Sequence, residues 1–134
     1  MNDCIFCKIT NKEIPSYKIY EDEHAYAFLD IADDYVGHTL VVPKKHYETI
    51  MQCDADILHH LIDVVIKISN HYIDNCGFEG VNISTNNGAA SGQAVKHLHF
   101  HVIPRKTGDN INVYTEVPKL NSDLNKTMNK FKIS

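Results

Sequence analysis

Three histidines stand two residues apart in His97-Leu98-His99-Phe100-His101. Successive side chains of a strand point to opposite faces, so this spacing puts all three imidazoles on one face and Leu98, Phe100 and Val102 on the other. Neighbouring rings then sit about 6.6 Å apart along the strand. A neutral imidazole near pH 7 is both a nucleophile and a base, and clustered imidazoles repel one another's protons, which keeps one of them unprotonated. A protonated neighbour can stabilise phosphoryl oxygens. The segment ahead of the row, Asn86 to Gly92, carries glycines that let backbone N–H groups approach an anion closely. His-x-His also supplies two ligands in several zinc sites. From spacing alone, a phosphoryl-directed site and a metal centre both fit.

To hold such a row the chain must supply a sheet. Ile19-Tyr20 and Ala25 to Leu29 flank the polar turn Glu21-Asp22-Glu23-His24, which predicts a hairpin. His38 to Val42 predicts a third strand, entered through Gly37 and closed by Pro43, which has no N–H for a ladder. From Asp54 to about Asn75, the residues Ile57, Leu58, Leu61, Ile62, Val65, Ile68 and Ile73 recur at helical spacing, with Asp54 as N-cap and Gly77 as stop. Val81 to Ser84 and Leu98 to Ile103 supply the remaining strands. Strands before and after one long helix predict an α+β fold with a mainly antiparallel sheet. Beyond Pro104 the chain is polar and rich in Asn and Lys, with Leu120, Leu124, Met128 and Phe131 spaced for one side of a short terminal helix.

The 134 residues are 43% hydrophobic and 22% charged, the composition of one ordinary soluble domain over 1–134, with a core over about 4–105 and a tail over 106–134. A chain of this length buries about two-thirds of its extended surface, so neither metal nor disulfide is needed merely to make a core. Thirteen Lys and Arg against seventeen Asp and Glu give a net charge of −4, the wrong sign for gripping nucleic acid through phosphate neutralisation. No apolar run approaches the ~20 residues that span a bilayer, and Met1-Asn2-Asp3-Cys4 lacks the basic and apolar regions of a signal peptide. The expectation is a cytoplasmic protein without nucleic-acid or membrane partners. Its four cysteines then read as metal ligands, catalysts or core fillers rather than a disulfide framework.

His97-x-His99-x-His101 followed by Val102-Ile103, and preceded by Gly92-Gln93-Ala94-Val95, resembles the signature of the histidine-triad superfamily of nucleotide hydrolases and transferases. Cys4-Ile5-Phe6-Cys7-Lys8-Ile9, Phe28-Leu29-Asp30-Ile31, Gly37-His38-Thr39-Leu40 and Pro43-Lys44-Lys45-His46 resemble further family segments in the expected order, so the resemblance runs to about Arg105. It implies a five-stranded antiparallel sheet with one long helix and a short terminal helix, the sheet continuing across a homodimer. It also implies a two-step reaction on a purine nucleotide partner such as an AMP derivative. His99 would attack the α-phosphorus to give a nucleotidyl-histidine, which water hydrolyses to release AMP. In the same pattern His101 and His38 lie against the phosphate and near the nucleophile, and the carbonyl of Gly92 orients the nucleophile's other ring nitrogen. Asn86 and Gln93 match phosphate-side contacts, Asp30 the carboxylate that takes the ribose hydroxyls, and Phe6, Ile9, Phe28 and Ile31 the base pocket. By their types alone Phe6, Phe28 and Ile31 would be core residues.

Cys4, Cys7, His46 and His97 correspond to a structural zinc site in bacterial members that carry this Cys-x-x-Cys. Such a Cys₂His₂ set is closed, with no open coordination position, and so serves structure rather than catalysis. Cys53 and Cys76 read as packing residues, and His24, His59, His60 and His71 as surface. Alanine at position 94 replaces the serine common in nucleoside phosphoramidases. Val95-Lys96-His97 and Val102-Ile103-Pro104-Arg105-Lys106 are similar to the branch that cleaves dinucleoside polyphosphates. Both leaving groups stay open on a common nucleotidyl half. The alternatives are a catalytically weak nucleotide-binding module and a metallohydrolase that uses the histidine row as its metal cage.

Overall fold

The structure, a computed structural model, describes residues 3–112 and 117–133. Met1 and Asn2, on which the reading of the chain's start partly rests, lie outside the described residues, as do 113–116 and Ser134 of the tail. The elements run α1 (Ile5–Thr10), β1 (Lys18–Glu21), β2 (Ala25–Leu29), β3 (Thr39–Pro43), α2 (Ala55–Cys76), β4 (Gly80–Ser84), β5 (Phe100–Arg105) and α3 (Leu124–Phe131). The five strands form one antiparallel sheet in the order β1-β2-β3-β5-β4, as the fold class requires.

Strand alternation sorts the side chains onto two cores. Ala25 and Ala27 of β2, Val41 of β3 and Phe100 and Val102 of β5 pack with Leu61, Val64, Val65 and Ile68 of α2. The two alanines leave room for the helix to approach β2 closely. The intervening residues, Tyr26, Phe28, Leu40 and Val42, face the other way and are covered by Phe6 and Ile9 of α1. Each large apolar side chain so buried stabilises the fold by about 1.5–3 kcal/mol. Helix α2 ends where Gly77, at φ 80°, takes the left-handed conformation and returns its N–H to the Tyr72 carbonyl, as its sequence position predicts.

The hairpin turn is fixed by Asp22, whose Oδ1 accepts the N–H groups of His24 and Ala25 at 3.0 and 2.9 Å. Gly37, at φ 75°, leads into β3 beside Pro104, and a Cβ there would stand 3.0 Å from the proline ring. Only glycine satisfies both demands. Two sequence readings need correction. Cys76 is exposed rather than packed, because it closes α2 on its solvent side. His60 is not a free surface group, since its Nε2 lies 2.7 Å from Asp22 and ties α2 to the β1–β2 turn.

Candidate active site and metal centre

Only His101 of the histidine row lies within a strand, for β5 begins at Phe100. His97 closes a bend, and Leu98 and His99 lead into β5 outside its ladder. The Leu98 N–H donates to the Tyr47 carbonyl at 2.7 Å, and the His99 carbonyl accepts from Thr85 Oγ1 at 2.9 Å. The alternation survives: Leu98, Phe100 and Val102 are buried in the α2 core, while His99 and His101 face the α1 side with ring centroids 5.0 Å apart. Phe6 meets the His99 ring edge-on at 5.1 Å.

The tautomer of His99 follows from one contact. Its Nδ1 is 2.7 Å from the His97 carbonyl, an acceptor only, so Nδ1 carries the proton and Nε2 the lone pair. The orienting carbonyl is therefore that of His97 and not of Gly92. Gly92, at φ 93°, instead ends a single 3-10 turn over Ala89–Ser91 and gives its N–H to Ala89. Burial first, then the charge of His38, lowers the basicity of the His99 ring, partly offset by the His97 carbonyl and Asp30. His101 is pushed down to about 4 by burial and by repulsion from His99 and His38, against the attraction of Asp30 and Asp34. His38 precedes β3 and places Nε2 2.9 Å from His101 Nδ1 and Nδ1 2.7 Å from Asp34 Oδ1.

The His99 and His101 rings line a cavity of about 410 Å³. Phe6, Ile9, Phe28 and Ile31 line its apolar part, and Asp30, His99 and His101 its polar end. Ile31 is 81% exposed and stands at the rim. A pocket of this size, apolar with a few convergent polar groups, is the usual form of a small-molecule site. Asn86 and Gln93 do not line it. Asn86 lies beside Gly92, while Gln93 binds the Gly88 N–H through Oε1 and the Glu48 and Val95 carbonyls through Nε2, closing its own loop. Sequence reasoning missed Ile14, Leu40 and Val95 as lining residues, and Asp34 as the partner of His38. Asp34 has no periodic signal; only its position four residues before His38 hinted at it.

A second cluster stands behind the first. Cys4 caps α1, its Sγ accepting the Cys7 N–H, so one helical turn brings both sulfurs to the same side. Around them, Cys4 Sγ and Cys7 Sγ lie 3.3 and 3.5 Å from His97 Nδ1, Cys7 Sγ lies 3.4 Å from His46 Nδ1, and the two Nδ1 atoms are 3.1 Å apart. A tetrahedral zinc ion with Zn–S of about 2.3 Å and Zn–N of about 2.0–2.1 Å has ligand-to-ligand edges of roughly 3.3 Å between nitrogens, 3.6 Å between sulfur and nitrogen and 3.8 Å between sulfurs, so these donors need move only by tenths of an ångström to receive it. His97 Nε2 donates to the Pro43 carbonyl at 2.8 Å, which leaves the Nδ1 lone pair directed at the cluster, the outer-sphere bond expected of a metal-ligating histidine. Cys4, Cys7, His46 and His97 thus could hold a metal ion, and their donors fit zinc.

The family model described as "HIT domain" matches residues 11–108. The chain is 47% identical to an uncharacterized HIT-like protein of Borreliella burgdorferi, over 98% of this chain and 93% of that one. It is 41% identical to the adenylylsulfatase HINT3 of Arabidopsis thaliana, over 81% and 55%, and 40% identical to the adenosine 5′-monophosphoramidase HNT1 of Candida albicans, over 77% and 70%. Among solved structures, the Zn-bound histidine triad family protein of Mycobacterium smegmatis matches with a TM-score of 0.78 and 34% identity, covering 86% of this chain and 84% of that one.

Proposed function

The chain belongs to the HIT family, and on that premise we propose that it hydrolyses purine nucleotide derivatives at the α-phosphate, with His99 as nucleophile. The observation that carries this reading is the His99 ring itself. Its Nδ1–H is committed to the His97 carbonyl, and its free Nε2 belongs to a ring at the polar end of an apolar cavity. Named activities of two relatives, an adenylylsulfatase and an adenosine 5′-monophosphoramidase, support nucleotide hydrolysis at the level of the family.

In the proposed reaction Phe6, Ile9, Phe28 and Ile31 enclose the base and Asp30 accepts from the ribose hydroxyls. The Nε2 lone pair of His99 forms a bond to the α-phosphorus as the bond to the leaving group breaks. The leaving group departs with the electron pair of the bond that breaks and takes a proton from His101, whose protonated form the negative charge of the bound phosphate favours. Water then attacks the phosphorus, returns its proton to His101, and the P–N bond breaks to give AMP and neutral His99. Zinc on Cys4, Cys7, His46 and His97 would tie α1 to the segment carrying His99, and four protein ligands leave it no open position. Gly92, Asn86 and Gln93 shape the loop through which the phosphate is approached.

Phosphorus NMR tests the reading. Zinc-replete protein is given equimolar adenosine 5′-phosphoramidate and diadenosine tetraphosphate. The wild-type chain is expected to consume at least one, which names the leaving-group class, while His99→Ala loses at least ~10³-fold in AMP release. An active His99→Ala protein, or a folded wild-type chain that binds AMP and consumes neither substrate, overturns it.

A further inference from the structure

The loop between β2 and β3 carries a carboxylate that the reaction above does not use. Asp34 Oδ1 accepts from His38 Nδ1 at 2.7 Å and from the Tyr35 N–H at 2.9 Å. The loop is shaped to deliver it: Asp33 adopts φ 51°, and the His38 N–H returns to the Tyr35 carbonyl at 3.1 Å. The other nearby carboxylate, Asp30, is 3.7 Å from the same nitrogen, and its Oδ1 is taken by the Ala32 N–H.

A carboxylate accepts, so neutral His38 carries its proton on Nδ1 and presents a lone pair on Nε2. That lone pair lies 2.9 Å from His101 Nδ1, which must then be the N–H side of the His101 ring. His101 is left with Nε2 as the nitrogen that gives and takes the proton. This is the same arrangement that the His97 carbonyl imposes on His99, reached by a different route.

We propose that Asp34 is a positioning residue: through His38 it fixes His101 with Nδ1 inward, and its negative charge favours the proton that His101 delivers to the leaving group. The proposal rests on the hydrolase reading for its role in turnover. The groups facing the His38–His101 pair are Asp30 and Asp34 from the β2–β3 loop, His99 from the segment before β5, and the Tyr35 ring at 5.8 Å from His38. Asp34 is the one among them hydrogen-bonded to His38 Nδ1.

Two substitutions separate orientation from charge. Asp34→Asn keeps an acceptor for Nδ1–H and loses the charge; Asp34→Ala loses both. Ring-nitrogen NMR of ¹⁵N-labelled, zinc-replete protein reads the tautomers of His38 and His101 without turnover, and AMP release between pH 5 and 9 reads the rate. The expected result is a wild-type tautomer in Asp34→Asn, with the alkaline limb of kcat moved to lower pH by roughly 0.5–1 unit. Asp34→Ala is expected to disturb both ring spectra and lower kcat on the order of tenfold with KM within about twofold, and Asp34→Glu to recover most of the rate. Wild-type ring spectra and an unmoved pH profile in Asp34→Ala overturn the proposal and leave Asp34 a solvated loop carboxylate. If the wild-type chain consumes neither substrate, the hydrolase reading has failed and the role in turnover with it. The ring spectra then decide the tautomer claim alone.

Discussion

At the scale of single residues, burial sets the protonation of the site. His101 is held down to about 4 by burial and by its histidine neighbours, against 6.5 for the unperturbed ring. Between those values the unfolded chain binds a proton that the folded chain refuses, so stability falls as pH falls through the window and is recovered above it. The slope from this one ring is at most about 1.4 kcal/mol per pH unit. Thermal unfolding of the wild-type chain and of His101→Asn, from pH 7 to 4, should show the steeper acid loss in the wild type. Parallel curves would mean that His101 takes its proton in the folded state. The residues of this site differ in how far sequence reveals them. The shared facing of His99 and His101 depends only on side-chain alternation into β5, so it is readable from the sequence. The partners that set the tautomers were not: the carbonyl that fixes His99 is that of His97, displacing Gly92, and Asp34 reaches His38 through a left-handed turn at Asp33. Local pattern carries no sign of the first and, for Asp34, only its place four residues before His38.

At the scale of elements, the least legible piece is α1. Six residues are too few to show helical periodicity, and its position comes from contacts with residues far along the chain. Cys4 and Cys7 meet His97 across sequence separations of 93 and 90, so the Cys-x-x-Cys spacing reveals half the ligand set; His46 and His97 are legible only through the family resemblance, and the fold brings all four together. Helix α2 and the β1–β2 hairpin, by contrast, follow from patterns complete within their own segments. β5 starts two residues later than alternation predicts, because Leu98 pairs with Tyr47 instead of a strand. A metal on this cluster would fasten α1, and with it Phe6, to the histidine row. Cys7→Ser should therefore lower zinc from one per chain to nearly none by atomic absorption. It should also remove the stabilisation that zinc gives the wild type, about 2.7 kcal/mol when free zinc exceeds Kd a hundredfold. Equal zinc content, or equal unfolding midpoints with and without zinc, would assign the cluster to thiol–imidazole hydrogen bonding alone.

At the scale of the whole molecule, the sheet ends on β4, which pairs with β5 on one side and, among the described residues, presents its other edge, without proline or lysine, as an open template. Ile83 on that strand is 43% exposed, and on α2, which packs against β4, Ile62, Ile66 and Ile73 remain 39%, 52% and 38% exposed at helical spacing. Edge and stripe together offer a self-complementary surface, which a two-fold axis could pair with its own copy, extending the sheet across both chains. The homodimer that the family resemblance implies would use this surface. Sedimentation should give a mass twice the 15.2 kDa of the chain. Ile66→Lys with Ile83→Lys, both at positions already exposed in the isolated chain, should return it to 15.2 kDa with its far-UV spectrum intact. His99 and the cavity lie on the α1 side of the sheet, away from α2. Nucleotide binding to the separated chains should then change less than the mass does, and a wild-type chain that sediments as a monomer at ~100 μM would remove the dimer while leaving the site untouched.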